Sequence, residues 1–161
     1  MPLTNAKDKF LHYLTDIYDA EHRFLEGQQE LYQQATDQNL KSAIEQHFDQ
    51  TQQQILNLEE VFNELGQQPR RETCEGAQGL VREAQESMQE AESDAVRDCL
   101  INSAVARVEH YEIASYRNLI SSAQQMEQTE IMHLLQQNLD QEEQTAQTAE
   151  QDAPELLQKA V

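Results

Sequence analysis

Five side chains able to bind a cation stand where long amphipathic helices should turn apolar residues inward. In "RVEHYEIASY", Arg107 to Tyr116, the stripe that carries Ile101, Val105, Val108 and Leu119 also takes in Glu109 and Glu112. At about 100° per residue, Glu112 falls near the centre of that stripe and Glu109 about 60° to one side. The same stepping puts Glu21, with Gln28, inside the stripe of an N-terminal helix. Glu142, seven residues after Leu135, is nearly central on a C-terminal one. On a fourth helix Thr51 is central, flanked by His47 and Gln54. Glu143 lies nearer an edge and Asp49 points away.

Buried ionised carboxylates are costly unless they are paired or coordinate a metal. Pairing has few candidates, because Lys and Arg total 11 and only Arg107 lies close in sequence to this zone. Glu21, Glu109, Glu112 and Glu142 from three helices, with His47 from the fourth, form a donor set for a dinuclear metal site. A bridging carboxylate would hold the two ions together. Such an oxygen-rich set suits iron or manganese best, with zinc as an alternative. His12, His22, His110 and His133 project away from the stripes and read as surface residues. Tyr111 and Tyr116 read as packing residues, and Cys74 and Cys99 as small apolar side chains.

The elements that must position this set follow from periodicity. One helix is expected from about Asn5 to Ala35, on Phe10, Leu14, Ile17, Phe24 and Leu31. A second runs from about Asn39 to Leu65 and is stopped by Gly66 and Pro69. A third covers about Asp94 to Gln124. A fourth covers about Gln128 to Asp152 and ends at Pro154, with "PELLQKAV" as one last turn. Short polar gaps make two antiparallel hairpins. The stretch from Gly66 to Ser93 is long enough to cross the bundle and contains a weaker amphipathic piece, "GLVREAQESMQEA". The expected fold is an all-α four-helix bundle, with two hairpins joined by one long crossover that holds a short extra helix, as a single domain over residues 1–161. The hairpins also look repeated: "YDAEHRFLE" sets beside "ARVEHYEIA", and "FDQTQQQ" beside "LDQEEQT". This register puts Thr51 in the place of Glu142.

Composition narrows the partners. A formal net charge of −19 argues against nucleic acid or an anionic membrane surface and favours cations. No apolar run approaches the roughly 18 residues of a membrane span. The N-terminus lacks a signal-peptide core, and two cysteines make no disulfide framework, so the cytoplasm is the expected compartment.

At "LTDIYDAEHRFLE", "HFDQTQQQILNLEEVF", "TCEGAQGL", "VEHYEIASY" and "LLQQNLDQEE" the chain resembles the YciF/YciE-type bacterial stress-protein family of the ferritin-like superfamily, from about Leu11 to Glu150. The resemblance implies a ferritin-like bundle, a homodimer, a dinuclear metal site and induction under stress. The general ferritin-like pattern places one Glu on each of two helices and Glu-x-x-His on each of the other two. Glu21 and Glu109 fit the single-Glu positions, and Glu142 fits a third. Thr145 stands where the histidine after Glu142 would be, Thr51 and Gln54 replace the other pair, and Glu112 and His47 are the available substitutes. The expected role is stress-related binding of redox metal, with oxygen or peroxide chemistry. The residues leave a second reading open: a metal-free helical dimer acting as a structural or interaction protein. A storage cage would need a cage-building fifth helix that the short C-terminal turn does not supply.

Overall fold

The polar belt that sequence periodicity predicts inside the bundle requires helices long enough to bury apolar side chains both above and below it. In a computed structural model of the chain, which describes residues 3–161, five helices do this: α1 (Ala6–Gln34), α2 (Gln38–Glu64), α3 (Glu75–Gln89), α4 (Asp94–Gln125) and α5 (Thr129–Lys159). α1 packs on α2 and α4, α5 packs on α2 and α4, and α3 lies outside across α1 and α4. The fold is thus the all-α bundle of two hairpins with a long crossover and a short extra helix.

Local chemistry sets the helix ends. Asn5, Asp37 and Ser93 each accept a hydrogen bond from an amide in the first turn of the helix that follows, satisfying donors the helix itself cannot. α2 ends at Gly66, which adopts φ 64°. The Gln67 amide then returns to Phe62 O and the Gly66 amide to Asn63 O, both at 2.9 Å. α4 ends in the same six-to-one loop, with the Gln128 amide on Ala123 O at 3.0 Å. The left-handed position there is Glu127, at φ 57°. That conformation strains an L-residue bearing a Cβ.

Pro154 does not end α5, contrary to the expectation from sequence. It lies inside the helix, which continues to Lys159. A proline in mid-helix leaves the carbonyl four residues back without its donor. Here that carbonyl belongs to exposed Glu150, on a face where Pro154 is also exposed and water can serve instead. The turns beyond are held by buried Leu156 and by Lys159 Nζ, which is 2.7 Å from Asp37 Oδ2 at the start of α2.

The crossover is fastened to α1 through Asp19, which accepts from the Cys74 amide at 2.8 Å and from Arg71 and Arg23. Burial would raise this carboxyl, but those donors outweigh it and hold Asp19 below the usual carboxylate range. Cys74 caps α3, its sulfur accepting from the Ala77 amide. Its neighbour Gly76 is placed so that a Cβ would lie 3.0 Å from the ring and hydroxyl of Tyr111, which explains a residue without a side chain there. The apolar interior falls into two parts. A large cluster includes Phe10, Leu58, Tyr116 and Leu135, and a small one includes Leu40, Ile44, Met88 and Ile101. The polar belt lies between them.

Candidate metal centre

Each helix of the bundle sends a side chain into that belt. Glu21 from α1 and Glu142 from α5 are fully buried, Glu109 and Glu112 from α4 are 1% exposed, and His47 from α2 is 3% exposed. One ligand atom from each of His47, Glu109, Glu112 and Glu142 lies within 4.8 Å of the others. Glu21 adjoins this group, close enough for its carboxylate to feel the charge of Glu142. The structure therefore groups four of the five residues selected from the sequence, with Glu21 beside them on α1.

The fit to a cation can be tested on what these atoms touch. His47 Nε2 is 3.0 Å from Glu109 Oε1 and 4.0 Å from Glu142 Oε2. The close pair is not aligned as a hydrogen bond, and both atoms are without such a partner. A separation of about 3 Å is also that of neighbouring donors around an ion bonded at about 2.1 Å. Glu21 Oε2, Glu112 Oε2 and both carboxylate oxygens of Glu109 and Glu142 are likewise buried without a hydrogen-bond partner. Native proteins rarely leave buried polar atoms so. Among the described residues no Lys or Arg pairs with any of these four carboxylates. Arg107 instead bridges to Glu83 of α3 on the outside, at 2.8 Å. The residues fit a bound cation.

Electrostatics agree. Burial pushes Glu21 up to about 8, with the Glu142 charge adding to it and the Tyr116 hydroxyl opposing it. Burial also takes Glu109 to about 7. Glu112 is raised well above the ordinary range by burial and then by Glu21, Glu142 and Glu109; Glu142 by burial and then Glu109. Without a cation the cluster must hold protons.

Two sets of supporting contacts went unseen in the sequence. The first holds His47. The Thr145 hydroxyl lies 3.1 Å from Gln141 O, 3.5 Å from Gln50 Oε1 and 3.4 Å from His47 Nδ1. In the tautomer in which Nδ1 donates to Thr145, the imidazole presents a bare Nε2 to the carboxylates. The second is a chain of neutral groups that runs from exposed Gln53 into the buried interior. Gln53 donates to Asn57, Asn57 to Asn138 at 2.7 Å, Asn138 to the Tyr116 hydroxyl at 3.0 Å, and Tyr116 to Glu21. Every donor points towards the carboxylate cluster. Burial, followed by the charges of Glu21 and Glu142, raises the phenol well above its ordinary value and keeps the proton on it. Tyr116 is thus a partner of Glu21 as well as a core residue. The signal in the sequence was an amide inside an apolar stripe, Asn57 beside Leu58 and Asn138 beside Leu139.

Of the histidines read as surface residues, His12, His110 and His133 are exposed, but His22 is half-buried against Tyr18, its Nε2 without a partner. Thr51 hydrogen-bonds to His47 O and accepts from Gln28, so it takes no part in the cluster.

A bundle of two hairpins with a buried carboxylate and histidine cluster between them defines a protein of the ferritin-like class. The chain belongs to the family described as Domain of unknown function (DUF892), whose sequence model matches residues 5–161. It is 32% identical to Protein YciF of Escherichia coli (strain K12) over 146 residues, covering 90% of this chain and 88% of that one. It superposes on the crystal structure of the E. coli stress protein YciF with a TM-score of 0.92 at 30% identity, covering 98% and 99% of the two chains. YcfI from Rhodopseudomonas palustris matches at a TM-score of 0.90 and 35% identity, covering 91% and 94%.

Proposed function

We propose that this protein binds two iron or manganese ions between α1, α2, α4 and α5, and that it handles redox metal under stress. The observation that carries the reading is the set of buried, unpartnered ligand atoms on Glu21, His47, Glu109, Glu112 and Glu142. Four carboxylates beside a neutral imidazole match the charge of two divalent ions. Oxygen donors with a single nitrogen favour iron or manganese over zinc. The description of the E. coli relative as a stress protein supports the physiological setting.

Bound metal of this kind supplies one-electron chemistry towards dioxygen or peroxide. The chain's own residues set the conditions for it. Thr145 orients His47, Tyr116 donates to Glu21, and the apolar clusters on either side keep bulk water from the carboxylates. Acidic surface charge draws cations towards the bundle. A homodimer, as the resemblance implies, is checked by light scattering.

The test is metal analysis of protein purified without a metal-affinity tag, followed by anaerobic ferrous titration and exposure to dioxygen. Near two ions per chain are expected, with ferric absorbance appearing on oxygenation. Glu112→Gln and Glu142→Gln are expected to lower the stoichiometry while leaving helical circular dichroism intact. One observation favours the metal-free reading: the raised values of Glu112 and Glu142 let a protonated cluster remain folded. Trace metal, removed by a mild chelator with no change in melting, would establish that reading instead.

A further inference from the structure

α3 is the one helix outside the bundle, and it does not close down fully on what it covers. Between it and the α1–α4 groove lies a cavity of about 40 Å3. It exists because residues facing each other there are small: Gly27 on α1, Ala84 on α3 and Ala104 on α4. Its walls include the side chains of Val81, Val105 and Val108. Its inner end is polar, formed by Gln28, His47 and Glu109. The cavity thus ends at the cluster. At its outer side Gln85 Nε2 on α3 donates to Glu30 Oε2 on α1 at 2.7 Å, latching the covering helix.

The geometry points to this cavity as the route and holding place for a small uncharged apolar molecule of the dioxygen class on its way to the centre. The inference rests on the metal-site reading for its consequence but not for its test. Between its polar ends the walls are hydrocarbon, from Phe24, Leu80, Val81 and Val108, so an ion or a strongly hydrated reactant would be desolvated there without compensation. A volume of about 40 Å3 is well below the roughly 150 Å3 of cavities that admit benzene, so the occupant is a few atoms at most. A second cavity, of about 30 Å3, touches His47 from the α2–α5 side. It is lined by Leu40, Ile44 and Val105 as well as by Asn102, Thr145 and Asp152. The imidazole therefore stands between two small cavities.

The experiment is paramagnetic relaxation by dissolved dioxygen, read by NMR on metal-free protein. In the parent, the Val81 and Val108 methyls and the His47 ring protons should be relaxed several-fold more than the Ile120 and Leu134 methyls, which are likewise half-buried but pack on the main core away from the cavity. Ala84→Leu should bring them down to the core level, and Ala104→Val, which adds less bulk, should do so in part and guards against a folding failure of the first variant. In iron-loaded protein, Ala84→Leu should slow dioxygen-dependent oxidation at least about fivefold at unchanged iron stoichiometry. Relaxation no greater than in the core, or unaffected by filling the cavity, would overturn the inference. So would an unchanged oxidation rate in a variant whose cavity relaxation is lost. If the parent binds no iron, the metal reading fails by its stoichiometry while the relaxation measurement still decides this one.

Discussion

Replacing Glu21 by Gln should flatten the dependence of metal-free stability on pH. In the folded apoprotein burial and the neighbouring Glu142 raise Glu21 from 4.5 to about 8. Once unfolded, the group returns to its ordinary value. Between these values the native state holds a proton that the unfolded chain releases. Stability is therefore highest below about 4.5 with respect to this group, and falls as pH rises through the folded value. The slope approaches about 1.4 kcal/mol per pH unit for one fully shifted group, so Glu21 alone accounts for up to about 2–3 kcal/mol lost between pH 5 and pH 7. Glu109, raised to about 7, adds to the same trend.

The overall charge of −19 also repels less on acidification, which is why a variant is needed as well as a pH series. Glu21→Gln removes the share due to this carboxyl and changes the total charge by one. Urea melts of chelator-treated parent and variant at pH 5, 6 and 7 give the two slopes, and the parent's should be steeper by about 1 kcal/mol per pH unit. The loaded protein should behave oppositely, losing stability on acidification as protons displace the metal. Parallel apo slopes for parent and variant would refute the argument that Glu21 is crowded among like charges.

Three further outcomes are expected. Tyr116→Phe removes the donor to Glu21 and leaves Asn138 without that acceptor, so it should cost about 1–3 kcal/mol in a denaturant melt, and the fall of apo stability with pH should continue to higher pH than in the parent because the phenol's opposing effect on Glu21 is gone. Glu127→Gly relieves the left-handed strain at the end of α4 and should raise stability by about 0.5–1 kcal/mol in the same assay; a loss would mean that the Glu127 side chain makes a contact outweighing the strain. Thr51→Glu puts a carboxylate at the position that the hairpin repeat aligns with Glu142. Calorimetry should show it less stable than the parent without metal, by a few kcal/mol, with the gap closed by saturating ferrous iron, and equal losses in both states would contradict the repeat.

Helix number and boundaries were legible because the stripes are long and interrupted by polar gaps. Gly66 marks one helix end openly. Glu127 does the same work at another without being a glycine, and the six-to-one hydrogen bonds reveal it only in three dimensions. Pro154 misled for a tertiary reason: Leu156 and Lys159 find partners that keep the last turns helical despite the lost hydrogen bond. The cluster itself was legible because a carboxylate inside an apolar stripe is costly and hence rare. Asn57, Asn138 and Tyr116 carry the same inward direction without a charge, so the rule that found Glu112 passed over them. Arg107 was judged close from its place in the chain, but helical rotation takes it to the outside and to Glu83. The cavity under α3 could not be read at all, since small residues from three helices make it only when they face one another.

The position of His47 shows why matching a pattern residue by residue understates this site. Counting along α5, Thr145 in place of a histidine looks like a lost ligand. In space the imidazole comes from α2, one turn before Thr51, and its Nε2 lies 3.0 Å from Glu109. Thr145 then becomes part of the arrangement, because its hydroxyl lies 3.4 Å from His47 Nδ1. A second histidine at that position would have to share the space of the first. On the proposed metal-site reading, the pattern's four carboxylates and one of its two histidines are kept by exchange between facing helices: α2 contributes the nitrogen, α5 contributes Thr145 beside it, and Glu112 supplies from α4 the carboxylate that α2 lacks.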